Sequence, residues 1–437
     1  MDATESKQRI NALKQAFPAG GLFAAKDWLV SPKPFPISKK LYRELETLGH
    51  KLYLYQQAAN RIYLGSAKEK LPDWITSYLD AGKSDKLIHC GRDPSSREEI
   101  PRVLRPDVIL TDDGFAITEL DNLPGGIGLT AWLNETYAGL GDDVIGGADG
   151  MLKGFDSVLD GGGDIVISEE SADYRPEMDW LAPKLEGDWQ VHAAEGYKVT
   201  DRDVYRFFEL FDLENVPCAK AIIEAAHEGK IDFTAPCKPF LEEKMWSALF
   251  WLPALREVWK KELRGAHLEL LERVIPESWI LDPTPIPHNA SQPRLNIHSW
   301  EEMKHFSQRE RELVIKISGF SEIAWGSKSV SIGDDMPQTD WAAAVDRALG
   351  DFDHHPWLLQ RFRKGRLVEH PYWDEGEGVM KTMEGRVRLC PYYFIAAGSK
   401  KPSPQLGGIL ATIVPADKKI IHGMRDGILA PCIVEED

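Results

Sequence analysis

Apolar positions recur at steps of three and four from Lys7 to about Asp80, at Ile10, Leu13 and Phe17 and then at Leu41, Leu45, Leu48, Leu52 and Tyr55. That spacing places one apolar stripe on each of a series of amphipathic helices. From Val108 to Asp121 the pattern shortens to two apolar runs around Asp112-Asp113-Gly114, which predicts a β-hairpin, and the following Pro124 to Gly128 opens into a helix marked by Leu129, Trp132, Leu133 and Tyr137. After Gly161 to Gly163 the chain alternates: strand Ile165 to Ser168, helix near Met178 to Leu185, strand Trp189 to His192, helix Ala219 to His227, strand Ile231 to Phe233. Such alternation predicts a parallel α/β unit. A helical stretch from Glu242 to Arg273 and a proline-rich connection from Asp282 to Pro293 lead to a strand-rich end, with Leu313 to Ile317, Trp357 to Phe362, Val387 to Cys390, Tyr392 to Ala396 and Ile409 to Val414. The expected class is therefore α/β with α+β elements, in four parts: a helical N-terminal region (1–85), a hairpin part (86–160), an α/β unit (161–235) and a strand-rich part (236–437).

Composition narrows the function. A chain of 437 residues with 43% apolar and 28% charged residues has a sizeable core and exceeds what one core usually serves. The net charge of −17 repels phosphate backbones and anionic membranes, so neither nucleic acid nor membrane is expected as a partner. A nucleotide would have to be held by local Lys and Arg. The five cysteines are widely spaced without a CxxC pair, which predicts reduced, mostly buried thiols and, with no long apolar stretch, a soluble cytoplasmic protein.

Candidate chemistry starts at Arg105 to Asn122, where charged residues end two strands that ought to be apolar. With a three-residue loop Asp112-Asp113-Gly114, Asp107 pairs with Glu119 and Arg105 with Asp121, and all four share one face; a two-residue Asp113-Gly114 turn would put Asp107 and Glu119 on opposite faces. Converging carboxylates suit a hard cation such as Mg²⁺. The plain alternative is a solvated hairpin tip. The glycines at 125, 126 and 128 follow GGxG and not GxGxxG, which argues against a dinucleotide fingerprint and for a turn with anion-facing amides. Adjacent His354 and His355 would point to opposite faces of a strand, and neither a GxSxG elbow nor a Walker loop is present.

Arg105, Asp107, Glu119 and Asp121 match in type and spacing the R-x-D and E-x-[N/D] pairs of the circularly permuted ATP-grasp ligases, and the chain resembles the synthetase domain of glutathionylspermidine synthase. The resemblance runs, with gaps, from Arg105 to Ile413. Lys244 looks like the family's helix-start lysine, Lys316 like its V-K-P lysine, Gly319, Gly326 and Ser327 like the glycine loop over the triphosphate, Gln360 like the residue at the adenine edge, and Gly407-Gly408 like a terminal Gly-Gly strand. It implies a permuted ATP-grasp fold in which 86–160 is the metal-binding hairpin part, 161–235 a preATP-grasp-like unit and 236–437 the nucleotide-binding part. It further implies ATP and Mg²⁺ as cofactors, Asp107, Glu119 and Asp121 as metal ligands, and Arg105 facing the transferring phosphate; Asn122 competes with Asp121 for the last ligand position. The implied activity joins a small carboxylate to an amine through an acyl phosphate, with room for a homodimer. A sensor that kept the fold without turnover, or a phosphotransferase, would use the same residues.

Overall fold

The computed structural model describes residues 3–18, 28–287, 290–324, 328–399, 402–419, 421 and 426–435. Among the described residues the architecture is mixed α/β, with three sheets and helices interspersed along the chain. The chain divides into two compact units, one built from Met1–Leu54, Pro94–Pro236 and Lys364–Asp437, the other from Tyr55–Asp93 and Cys237–Arg363. Among the described residues no helix is long and apolar enough to cross a membrane.

Among its described residues the first unit has two sheets. Its larger one runs in the order Leu29–Val30, Ile428–Val434, Gln405–Pro415, Val379–Phe394, Val103–Thr111, Gly114–Asp121, with Leu367–Asp374 also on Val379–Phe394 and Phe35–Ile37 also on Ile428–Val434. Val379–Phe394 is one strand of 16 residues, where the sequence pattern suggested two strands broken at Pro391. The smaller sheet is wholly parallel, in the order Asp188–Ala193, Gly162–Ile167, Val204–Phe207, Phe233–Thr234. Helices Ile127–Gly139 and Arg175–Leu181 contribute Trp132, Leu133, Tyr137, Met178 and Leu181 to one apolar core with Ile165, Ile167, Tyr205 and Phe207. Gly407 is a packing residue, since its own Cβ would lie 2.5 Å from the Phe394 ring.

Within that unit the buried His370 ring faces the Ser31 hydroxyl at 3.0 Å and the Lys33 carbonyl at 3.3 Å. Burial pushes its pKa down to about 4; the Lys33 carbonyl opposes this and the Lys33 charge adds to it. An unfolded histidine titrates near 6.5, so the unfolded chain binds the extra proton between that value and about 4. The neutral ring's stabilisation is complete above about pH 6.5 and is lost as pH falls toward 4, a loss of about 3 kcal/mol. Calorimetric melting temperatures over this range should fall more steeply for the wild type than for His370→Gln, and parallel curves would remove His370 as the cause.

The second unit carries a four-stranded antiparallel sheet, Ser331–Ile332, Leu313–Ile317, Trp357–Arg361, Ser278–Ile280. Helix Gln338–Gly350 packs Trp341, Ala344, Val345 and Ala348 against Leu313, Ile315, Ile317, Trp357 and Leu359. The stretch expected to be helical from Glu242 breaks into Trp246–Trp251, Arg256–Glu262 and Gly265–Val274, with Pro253 ending the first.

The expectation of reduced cysteines is corrected here. Cys90 and Cys237 form a disulfide across 147 residues of sequence, while Cys218, Cys390 and Cys432 are free and buried. Gly91 permits the approach, because even a Cβ there would lie 3.2 Å from Pro239 Cδ. A disulfide persists in oxidising surroundings, so the cysteines no longer argue for a reducing compartment. Closing so long a loop removes denatured-state entropy worth about 3–5 kcal/mol in the chain-entropy model. Reduction, or Cys90→Ser with Cys237→Ser, should lower the melting temperature markedly; an unchanged midpoint in reductant would show that the bridge contributes nothing.

Candidate functional site

The hairpin brings four sequence candidates together. Arg105 stands opposite Asp121 and Asp107 opposite Glu119, as expected, although the route differs. Thr111 pairs with Gly114, leaving a two-residue turn, Asp112-Asp113, and Gly114 has φ 144°. The pairing Val108 to Ile117 then gives way to Asp107 with Glu119, so Thr118 is a bulge residue that supplies the register shift assigned to a longer loop.

At the charged end, Arg105 is the hub. Its Nη2 lies 3.0 Å from Asp121 Oδ2 and 3.4 Å from Asp107 Oδ1, and its Nη1 donates to the Gly125 carbonyl at 3.2 Å. A second arginine that the sequence reading missed, Arg388 on Val379–Phe394, places Nη1 2.9 Å from Asp107 Oδ2, and the Cys390 thiol lies 3.5 Å from Asp107 Oδ1. Burial disfavours the Arg105 charge, but Asp107 and Asp121 outweigh it and hold its pKa well above the ordinary value. Burial raises the Asp121 pKa; Arg105 opposes the rise and Glu119 adds to it. Burial also pushes the Cys390 thiol up to about 11, so it is protonated and no nucleophile at neutral pH.

The glycine turn beside this cluster is an anion-binding turn occupied from within. Gly126, at φ 84°, precedes helix Ile127–Gly139, and the buried Glu177 carboxylate accepts from the Gly126 N–H at 3.2 Å and the Leu129 N–H at 3.1 Å. Tyr392 donates to the Gly125 carbonyl at 2.8 Å. Gly125 needs its missing side chain, because a Cβ would sit 2.1 Å from the Tyr174 ring.

The second unit holds the other candidates. Lys316, buried on its short strand, donates to Gln360 Oε1 at 3.0 Å, and Gln360 Nε2 donates to Ser278 Oγ at 3.0 Å, a chain of polar contacts across three neighbouring strands. Lys244 Nζ donates to the Ala324 carbonyl at 3.2 Å. A Cβ on Gly319 would lie 3.0 Å from Glu243 Oε2 and 3.1 Å from the Glu242 carbonyl. Gly326 and Ser327 lie outside the described residues. His354 and His355 sit in the turn before Trp357–Arg361 and not on a strand.

The cation that the resemblance implies at the hairpin is Mg²⁺. Asp107, Glu119 and Asp121 offer the hard oxygen donors that the ion prefers. Yet Asp107 faces both arginines, Asp121 faces Arg105 and accepts the Leu123 N–H, and among the described residues no three His, Cys, Asp or Glu side chains form a group that could hold a metal. As arranged, the residues do not fit the ion, and no step below is routed through it.

No family model matches the chain, and neither does any curated protein. Among solved structures it is similar to a glutathione synthetase-like effector from Globodera pallida in its apo form, at 11% identity and a TM-score of 0.57, over 100% of this chain and 98% of that one. A putative gamma-glutamylcysteine synthetase from Methylobacillus flagellatus is similar over 82% of this chain and 87% of its own, at 8% identity and a TM-score of 0.38, too distant to carry an argument. The first likeness, spanning both chains, shows that this protein has the fold of that glutathione synthetase-like protein.

Proposed function

We propose that the chain is an ATP-dependent carboxylate–amine ligase of the ATP-grasp type, in the circularly permuted order. The observation that carries the reading is the charged end of the hairpin, where Arg105 gathers Asp107 and Asp121 on paired strands, in a chain with a glutathione synthetase-like fold. The order of residues agrees, with the hairpin preceding Lys244, Lys316 and Gln360. In this reading Lys244 and Lys316 neutralise triphosphate oxygens, and Gln360 fixes the Lys316 ammonium. The γ-phosphoryl group passes to a substrate carboxylate oxygen, releasing ADP. The amine nitrogen then attacks the acyl carbon, the carbon–oxygen bond to phosphate breaks, and the nitrogen loses a proton. Arg105 faces the charge that develops at the acyl centre; such stabilisation by preset charges is a large part of catalysis of this kind.

A second reading, a nucleotide- or metabolite-binding protein without turnover, is favoured by one observation: Asp107 is already occupied by Arg105 and Arg388. Screening small acids and amines for ATP-dependent phosphate release separates the two. The ligase releases ADP and phosphate only when both an acid and an amine are supplied. ATP binding with no release under any pair would favour the binding protein.

A further inference from the structure

Away from the charged hairpin, the first unit has a cavity of about 370 Å³, lined by Ala12, Ala16, Trp132, Glu135, Trp180 and Lys184 among others. The residues come from helix Ala3–Gln15 and its end, from the later turns of Ile127–Gly139, and from Arg175–Leu181 and the short turn after it. Small residues keep the space open: a Cβ on Gly139, which also lines it, would meet nothing within 4 Å. One wall is fixed, because Trp132 Nε1 donates to the Ala16 carbonyl at 3.0 Å and the Phe17 ring stacks on Trp132 with centroids 5.0 Å apart. The charged part of the lining is an ion pair, in which Lys184 Nζ donates to both Glu135 oxygens at 2.9 Å and stands 4.6 Å from the centre of the Trp180 ring. Glu135 lies nine residues beyond Gly126, about 13 Å along the helix, so this pair is separate from the glycine turn beside Arg105.

The lining sets the chemistry of an occupant. Sites for small ligands range over about 300–1,000 Å³, and a volume near the lower end favours one small molecule over a nucleotide. Indole and methyl walls call for a large apolar group. One carboxylate beside one ammonium calls for a ligand with the opposite arrangement, an ammonium for Glu135 and a carboxylate for Lys184. The pair's side chains are 44% and 35% exposed, and such an ion pair contributes at most about 1 kcal/mol, so dividing it between the two ends of a ligand loses little. A zwitterion also has no net charge, and the −17 of the chain does not repel it.

We propose that this cavity binds a free α-amino acid with a large apolar side chain, its ammonium on Glu135, its carboxylate on Lys184 and its side chain against Trp132. The site does not depend on the ligase reading. Calorimetric titration of the full chain tests it, with L-phenylalanine, L-tryptophan and L-leucine as ligands and L-alanine and N-acetyl-L-phenylalaninamide as controls. Wild type, Glu135→Gln, Lys184→Gln and Ala12→Phe are compared, each with its melting temperature. At least one of the three ligands should saturate at one per chain. L-Alanine, which lacks the side chain, and the amide, which lacks both charges, should bind at least about tenfold more weakly. Glu135→Gln and Lys184→Gln should each weaken binding about tenfold, the loss of one charge-assisted contact, and Ala12→Phe, which puts a ring into the cavity, should abolish it. Should Ala12→Phe fail to fold, the two exposed-pair variants decide, since substitutions at such positions change stability by within about 0.5 kcal/mol. No saturable binding of any of the three ligands to the wild type at millimolar concentration overturns the proposal. So does undiminished binding in either exposed-pair variant or in a folded Ala12→Phe, or an amide that binds as tightly as L-phenylalanine. ATP-dependent phosphate release, measured separately, decides the ligase reading whichever of these results is found.

Discussion

Arg105→Met is expected to destabilise the protein by about 3–5 kcal/mol and to leave no measurable ligase turnover. The arginine touches Asp107, Asp121 and the Gly125 carbonyl together, and it is mostly buried. Methionine keeps the bulk and removes the charge. Asp107 would still face Arg388, but Asp121, close enough to Glu119 to be affected by its charge, would lose the cation paired with it. Breaking one partner of a buried ionic network costs more than the network contributes, because the survivor is left desolvated and alone. Arg105→Lys keeps a charge but not a fork able to reach three acceptors, so an intermediate loss of stability is expected with turnover still severely reduced. Urea unfolding followed by tryptophan fluorescence, on the same samples used for ADP release, measures both. A Met variant within about 0.5 kcal/mol of wild type would mean that the cluster is a solvated hairpin end.

Lys316→Met should have the opposite profile, with the fold retained and the nucleotide lost. Methionine nearly matches the buried volume, and withdrawing the donor from Gln360 Oε1 costs about 1–2 kcal/mol. If the ammonium meets triphosphate oxygens, ATP affinity should fall at least about tenfold and turnover by about a hundredfold or more, since charge stabilisation dominates phosphoryl transfer. ATP titration and ADP release at saturating acid and amine separate these effects. Wild-type affinity in a folded Lys316→Met would remove Lys316 from the nucleotide site.

Where periodicity was clean, the sequence was readable. Leu313–Ile317 and Ala219–His227 have the bounds their apolar patterns predict. The pairing of Arg105 with Asp121 and of Asp107 with Glu119 was also legible, because acidic and basic residues ending apolar runs constrain register. The Thr118 bulge was not, since nothing in residue type separates a bulge from a longer turn when both shift the register by one. Strand Val204–Phe207 escaped notice because Arg206 interrupts its apolar run. The structure buries that arginine completely and satisfies it with the Ala235 and Phe208 carbonyls. Arg388 alternates with Val387 and Leu389, a pattern that does not single it out; only the neighbouring strand shows that it faces Asp107. The Lys83–Glu243 pair and the Cys90–Cys237 bridge join residues 160 and 147 positions apart, a distance over which sequence spacing carries no signal.

The central claim is that a carboxylate is activated as an acyl phosphate, and oxygen transfer tests it most directly. With an acid and an amine that support phosphate release, the acid's carboxylate is labelled with ¹⁸O and the phosphate is analysed by mass spectrometry. An acyl phosphate that loses phosphate to an amine must leave one carboxylate oxygen on that phosphate, so the account predicts one labelled oxygen for each ADP formed. Unlabelled phosphate accompanying ADP, or AMP and pyrophosphate as products, would contradict it.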